Sequence, residues 1–290
     1  MIKTILVGAS GGRSDVSAFE TALTLARPLA AHLDFYHAWV TPDDAAALSP
    51  HVDFAQGDAL KDALERLQHD AERRSTEAFR SFRAFCDSHR LAIAEPDENT
   101  TDVTAAWIEE KGDPLRGLTR HARHHDLVVI GSPNPDGGLR PDLAGQLLLA
   151  SGRPLVLAPP EPRTRRSGVI LIGWKETPEA ARAMTAVSPL LRFAQRVILA
   201  SVEDGRNAQP EALENLMRQL RRRGAKVEGM AIATEGHSVA DRLLWAAESV
   251  DADLLVAGAY GHTRIWELIF GGVTRSLLEG RSAAPVLLMH

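Results

Sequence analysis

The clearest chemistry in the chain lies in a run of glycines near its end. Gly258-Ala259-Tyr260-Gly261 is followed by nine residues and then by Gly271-Gly272-Val273-Thr274. Gly258 and Gly261 let a backbone turn sharply and approach a ligand closely. Gly271 and Gly272 open a helix, whose free N–H groups and positive dipole end suit a phosphate. Thr274 adds a hydroxyl in the first turn. The competing expectation is a tight strand-to-helix connection that binds nothing. His262, beside Gly261, is either a phosphate contact or a solvated loop residue. Lys175 is either a counter-charge for the same anion or an exposed turn lysine. The apolar segment Ile265–Phe270 inside the loop is expected to pack against the sheet or a neighbouring domain.

An earlier stretch, Gly131-Ser132-Pro133-Asn134-Pro135-Asp136-Gly137-Gly138, occupies the corresponding place in the first half. Asn134 stands where a second glycine is needed, and two prolines remove N–H donors. Asp142 puts a carboxylate where the anion belongs. No phosphate site is expected there. The first turn, Gly8-Ala9-Ser10-Gly11-Gly12-Arg13-Ser14-Asp15, fits a G-x-S-x-G nucleophile elbow, but no Asp and His are marked as partners. Gly11, Gly12 and Ser14 could instead hold an anion at a helix start, or simply turn the chain into a capped helix. His121, His124 and His125 have a spacing that could hold zinc but lack a fourth ligand. No catalytic residue and no protein-held metal is assigned.

The elements that must position these residues repeat. Ile5-Leu6-Val7-Gly8 is echoed by Val169-Ile170-Leu171-Ile172, Asp126–Gly131 by Asp253–Gly258, and Pro154-Leu155-Val156-Leu157 by Pro285-Val286-Leu287-Leu288. The apolar runs are continuous, which suits parallel strands buried on both faces. Between the copies, Pro159 to Arg166 reads as an extended linker. The division expected is residues 1–160 and 167–290. Ser14 is expected to cap the first helix, and Thr177 with Pro178 to start its twin. Leu60, Leu64, Leu67, Ala71, Ala78, Phe82 and Phe85 give one long helical stripe; Leu213, Leu216, Met217 and Leu220 give another. Each half then reads as a five-stranded doubly wound sheet whose ligand side is the carboxyl edge, after the first and fourth strands.

Composition fits this picture. The chain has 290 residues, with 33 Lys and Arg against 38 Asp and Glu, a formal charge of −5. That balance argues against nucleic acid as the partner. One cysteine, Cys86, excludes an internal disulfide and any CxxC site. No apolar run reaches the ~18 residues of a membrane helix, and the start reads as a strand rather than a signal peptide. A cytoplasmic protein without a membrane partner is expected.

On these motifs the chain resembles the universal stress protein family in its tandem two-domain form. The family pattern G-x2-G-x9-G-[ST] stands here as Gly258-x2-Gly261-x9-Gly271-Gly272, beside the matching fourth and fifth strands of both halves. The resemblance implies two α/β domains with parallel five-stranded sheets in the order 3-2-1-4-5, flanked by helices. It also implies binding of an adenine nucleotide, ATP or AMP, with Mg2+, and dimers that pair through the fifth strand. Gly258, Gly261, Gly271, Gly272, Val273 and Thr274 would then line phosphates and ribose, and Ala257 and Val202 would approach sugar and base. Two positions depart from the pattern. Gly272 replaces a Ser or Thr, and Trp174 stands for the aspartate that reads adenine, where it either stacks on a base or fills its pocket.

Three functions follow from these residues. The first is a stress-response or regulatory protein that binds the nucleotide in its C-terminal domain, the N-terminal domain serving as a non-binding pseudo-dimer partner, with slow or no ATP hydrolysis. The second is a scaffold or small-ligand module with both sites degenerate. The third rests on Ser10-Gly11-Gly12-Arg13-Ser14-Asp15, similar to the SGGxDS loop of PP-loop ATP pyrophosphatases with its last two residues reversed; that loop implies ATP cleavage. Domain pairing within the chain leaves room for a further homodimer.

Overall fold

A computed structural model describes residues 1–41, 58–95, 101–133, 142–164, 166–203, 210–260 and 272–290. The first half runs β1 (Thr4–Gly8), α1 (Ser14–Ala26), β2 (His32–Trp39), α2 (Asp58–His89), β3 (Ala92–Ile93), β4 (Thr104–Lys111), α3 (Pro114–Ala122), β5 (Leu127–Ile130), α4 (Leu143–Ser151) and β6 (Leu155–Leu157). The second runs β7 (Val169–Gly173), α5 (Pro178–Leu191), β8 (Arg196–Glu203), α6 (Pro210–Arg222), β9 (Val227–Ala233), α7 (Val239–Ser249), β10 (Leu254–Gly258), α8 (Gly272–Leu278) and β11 (Val286–Met289).

The strands form one sheet ordered β3-β4-β2-β1-β5-β6-β11-β10-β7-β8-β9. Leaving aside the two-residue edge strand β3, each half has the order 3-2-1-4-5. The β6–β11 junction is antiparallel, with Val156 opposite Leu287, whereas the other pairs run parallel. The fifth strands of the halves therefore meet inside one chain. The edge strand was not foreseen: Ala92 and Ile93 are exposed and carry no buried pattern to announce it.

Both faces of the sheet are covered, as the continuous apolar runs require. Ile5 and Val7 point toward α1 and α2, while Leu6 points toward α3 and α4, and none of the three touches solvent. α5 and α6 share the first face, α7 and α8 the second. In α2 the stripe is buried from Ala71 through Phe85; Leu64 and Leu67 are only half-buried.

The helix starts differ between halves. Thr177 Oγ1 accepts the Ala180 amide at 3.3 Å, with Pro178 in the first turn, as expected. Ser14 does not cap α1. It is the first helical residue, and its buried hydroxyl makes no hydrogen bond. Two aspartates repeat one device: Asp126 Oδ2 accepts the Thr4 amide at 3.1 Å, and Asp253 Oδ2 the Gly168 amide at 2.6 Å, each tying the entry of a fourth strand to that of a first.

Among the described residues between Leu157 and Val169 there is no regular element. That segment grips both halves. Ser17 Oγ donates to the Pro159 carbonyl at 2.6 Å, and Arg163 reaches Asp251 Oδ1 at 2.6 Å.

Candidate functional site

The strand order reverses between β1 and β5, and again between β7 and β10. In this topology ligands sit at the carboxyl edge of such points. The two turns leave their strands alike. Ala9 donates its amide to the Tyr36 carbonyl, and Trp174 donates to Ala200, each at 2.8 Å. Counting on from there, Ser10 matches Lys175, Ser14 matches Glu179 and Asp15 matches Ala180.

In the first half the turn is already occupied by its own anion. Asp15 is buried, and its carboxylate accepts the Ser10 amide at 2.9 Å, the Gly11 amide at 2.8 Å and the Ser10 hydroxyl at 2.7 Å. Gly12 donates its amide to Ser10 Oγ at 3.1 Å. Burial pushes the Asp15 pKa up, against the pull of the Ser10 and Gly11 donors. α2 closes the turn from above: a Cβ on Gly11, where φ is +73°, would stand 2.3 Å from the Arg74 carbonyl oxygen. The alternative of an anion held by Gly11, Gly12 and Ser14 finds the Gly11 amide already on Asp15 and the Gly12 amide on Ser10 Oγ. The nucleophile elbow fails for a related reason. Ser10 donates to a carboxylate, while the nearby His37 puts its Nδ1 on the Ala9 carbonyl at 2.7 Å. The PP-loop similarity needs the same amides.

The second half lacks that carboxylate, since Ala180 has none. Its first motif glycine has a steric role: a Cβ on Gly258 would lie 2.5 Å from the Ala180 nitrogen and 2.9 Å from Glu179 Cβ. Gly131 does the same, 2.6 Å from Ser14 Cβ. This glycine lets a helix start cross a strand end in both halves, so it does not distinguish a binding loop from an empty one. Among the described residues, by contrast, nothing lies within 4 Å of a Cβ placed on Gly272.

Thr274 closes the neck of the loop. It is buried, and its Oγ1 accepts the Tyr260 amide at 3.1 Å. Tyr260 holds φ +60° and sits edge-on to His290, with ring centroids 5.9 Å apart. Its hydroxyl lies over Gly145 of α4, where an added Cβ would stand 3.0 Å away. Glu179 sits beside this neck. Its Oε1 accepts from Arg182 at 2.8 Å, and its buried Oε2 has no hydrogen-bond partner among the described residues. Sequence reasoning missed Glu179; the signal was its place at the helix start, matching Ser14 and one residue before the counterpart of Asp15.

The remaining predicted residues divide between faces. Ala257, Val202 and Val273 pack with the core under α7 and α8, whereas the half-buried Trp174 packs with the core under α5. Lys175 is exposed in its turn. Gly261, His262, Gly271, the segment Ile265–Phe270 and, in the first half, Asn134 to Gly138 lie outside the described residues. Asp142 immediately precedes α4 and accepts from the Gln146 amide side chain. The three histidines diverge. His125 bonds Asp34 at 2.8 Å, His121 lies 3.2 Å from Glu110, and His124 is exposed.

Two doubly wound units joined through their last strands define a tandem α/β architecture. The chain belongs to the universal stress protein family, whose model matches residues 1–151 and 175–290. A universal stress protein from Archaeoglobus fulgidus DSM 4304 has a similar structure, with a TM-score of 0.66 at 12% identity, covering 99% of this chain and 95% of that one. A functionally unknown protein from Pseudomonas aeruginosa PAO1 matches with a TM-score of 0.52 at 17% identity, covering 99% and 92%. Both likenesses concern the fold. A search among curated proteins found no match. No helix among the described residues is long and apolar enough to cross a membrane.

Proposed function

We propose that the second half, residues 167–290, binds one adenine nucleotide, ATP or AMP, with its phosphates over the neck formed by Tyr260, Gly272 and Thr274. The first half, residues 1–160, is its non-binding partner. The observation that carries this reading is the exchange of Asp15 for Ala180: the chain's own carboxylate takes the turn amides in one half and is absent from the other. Gly272, uncrowded among the described residues, adds room at a helix start.

A divalent cation fits the same place. Glu179 Oε2, beside Gly258, is an acceptor with no donor among the described residues, and a magnesium ion arriving with the phosphates would satisfy it and neutralise their charge. Glu179 also lacks a paired histidine or other base in the described part of the site. The reading is therefore a nucleotide-responsive stress protein of the cytoplasm, with hydrolysis slow or absent.

Trp174 favours a second reading. It stands in sequence where the family pattern has the aspartate that reads adenine, and with that acceptor missing the protein is a scaffold or small-ligand module. Mass spectrometry of small molecules released from the purified protein separates the two. A purine nucleotide near one per chain supports the first; its absence, together with no binding of added AMP or ATP, supports the second.

A further inference from the structure

The twin helices α3 and α7 carry opposite charge at equivalent positions. Each starts on a side-chain cap: Asp113 Oδ1 accepts the Arg116 amide at 2.8 Å, and Ser238 Oγ accepts the Asp241 amide at 3.1 Å. Counting on from these caps, Arg116, Arg120 and Arg123 match Asp241, Trp245 and Glu248. All six are exposed. The helix dipole favours Arg120 and Arg123 near the carboxyl end of α3, but it disfavours Arg116 in the first turn.

The arginines line a groove. Together with Leu115, Thr119 and Ala150 they enclose about 460 Å3 between α3 and α4. Arg120 pairs with Glu110. Arg123 and Arg153 bond only backbone carbonyls, of Ala150 at 3.2 Å and of Arg123 at 2.8 Å. Arg116 has no ion-pair partner among the described residues. Asp113 and Glu110 are the carboxylates nearby, so the rim is net positive on a chain of net charge −5.

On α7 the balance is reversed. Trp245 is 51% exposed, and Arg242 lies 4.5 Å over its ring. Arg242 also pairs with Glu235 at 3.1 Å, and Arg281 with Asp241 at 3.6 Å and Glu279 at 3.4 Å. Glu248 has no ion-pair partner among the described residues, which leaves this rim net negative.

We propose that α3 of one chain docks against α7 of a second copy, with Trp245 seated in the arginine groove and Asp241 and Glu248 facing the flanking arginines. The groove offers three guanidinium groups to the indole, and guanidinium groups bind aromatic faces. Because α3 and α7 hold equivalent places in the two halves, a twofold pair makes the contact twice. The fifth strands, already joined to each other within the chain, are not used.

Sedimentation of the full chain tests the proposal. At about 100 µM the wild type should form dimers of micromolar affinity, weakened at least about tenfold between roughly 0.05 and 0.5 M salt. Arg116→Glu with Arg123→Glu in one chain, and Asp241→Lys with Glu248→Lys in another, should each be monomeric. Mixed together, these two should restore a 1:1 dimer, because each reversed helix then meets its opposite. A monomeric wild type, reversed chains that still self-associate, or a mixture that stays monomeric would overturn it.

Discussion

Asp15 stands 2.8 Å from the Gly11 amide nitrogen, and Ala180 stands at its place in the other half. The first-half turn therefore folds around a built-in anion. A nucleotide phosphate arriving there would meet a carboxylate already holding the donors, under the backbone of α2 at Arg74.

Removing that carboxylate should cost stability rather than create a site. Asp15→Ala leaves the amides of Ser10 and Gly11 without an acceptor and should lower the unfolding free energy by about 1–3 kcal/mol. Urea titration measures it. An unchanged midpoint would contradict the role assigned to Asp15.

Gly131 and Gly258 should behave alike. Alanine at either forces a Cβ within 2.6 Å of the opposing helix start, and overpacking of this kind costs about 1–3 kcal/mol. Thermal melts of the two variants should shift in the same direction. A loss of stability at Gly258 alone would mean that the packing is not shared, and a loss of binding in Gly258→Ala says little about phosphate recognition.

Thr274→Val should separate the loop neck from the fold. It removes the acceptor for the Tyr260 amide while keeping the buried volume, at a cost of about 1 kcal/mol. Nucleotide affinity should fall, and Thr274→Ser should keep it. Equal affinity in the Val and Ser variants would show that the neck plays no part in binding.

A pH dependence belongs to the first half. Asp34 lies between His125, at 2.8 Å, and His32, at 3.2 Å. Burial acts to raise the Asp34 pKa, but the hydrogen bonds from the two histidines outweigh it and hold it well below 3.8. Burial acts to lower that of His125, but its bonds to Asp34 and His121 outweigh it and leave it above 6.5. The Asp34 contribution is present above 3.8 and lost as pH falls below it. The His125 contribution is present below 6.5 and lost as pH rises through its folded value. Together they are fullest between these limits. Asp34→Asn should destabilise by about 3–5 kcal/mol there, with a smaller deficit near pH 8. A deficit that grows from pH 6 to pH 8 would contradict the pairing.

Much of this was legible in the residues. The echoes ending at Gly131 and Gly258 and at Leu157 and Leu288 mark strands in matching places, because runs buried on both faces tolerate little but aliphatic side chains. Thr177 and Pro178 announce a helix start through local chemistry alone. The β6–β11 junction is different: Val156 and Leu287 are 131 residues apart in sequence, and nothing in either short run says which edge it will meet. Ser14 looked like a cap, yet Arg13 holds the N-cap position and the carboxylate of Asp15 turns back to Ser10. Tyr36 needs Gly117, where a Cβ would lie 1.7 Å from its hydroxyl, while the twin positions hold Ala200 and Arg242. Such exchanges become visible only when the halves are laid side by side.

The most direct test is the stoichiometry of AMP and ATP binding by titration calorimetry, with magnesium, on the wild type and on Gly261→Leu. One site per chain in the wild type, lost in the variant while its melting temperature holds, is the outcome expected. Two sites per chain, or affinity unchanged in Gly261→Leu, would contradict a nucleotide held by the glycine loop of the second half alone.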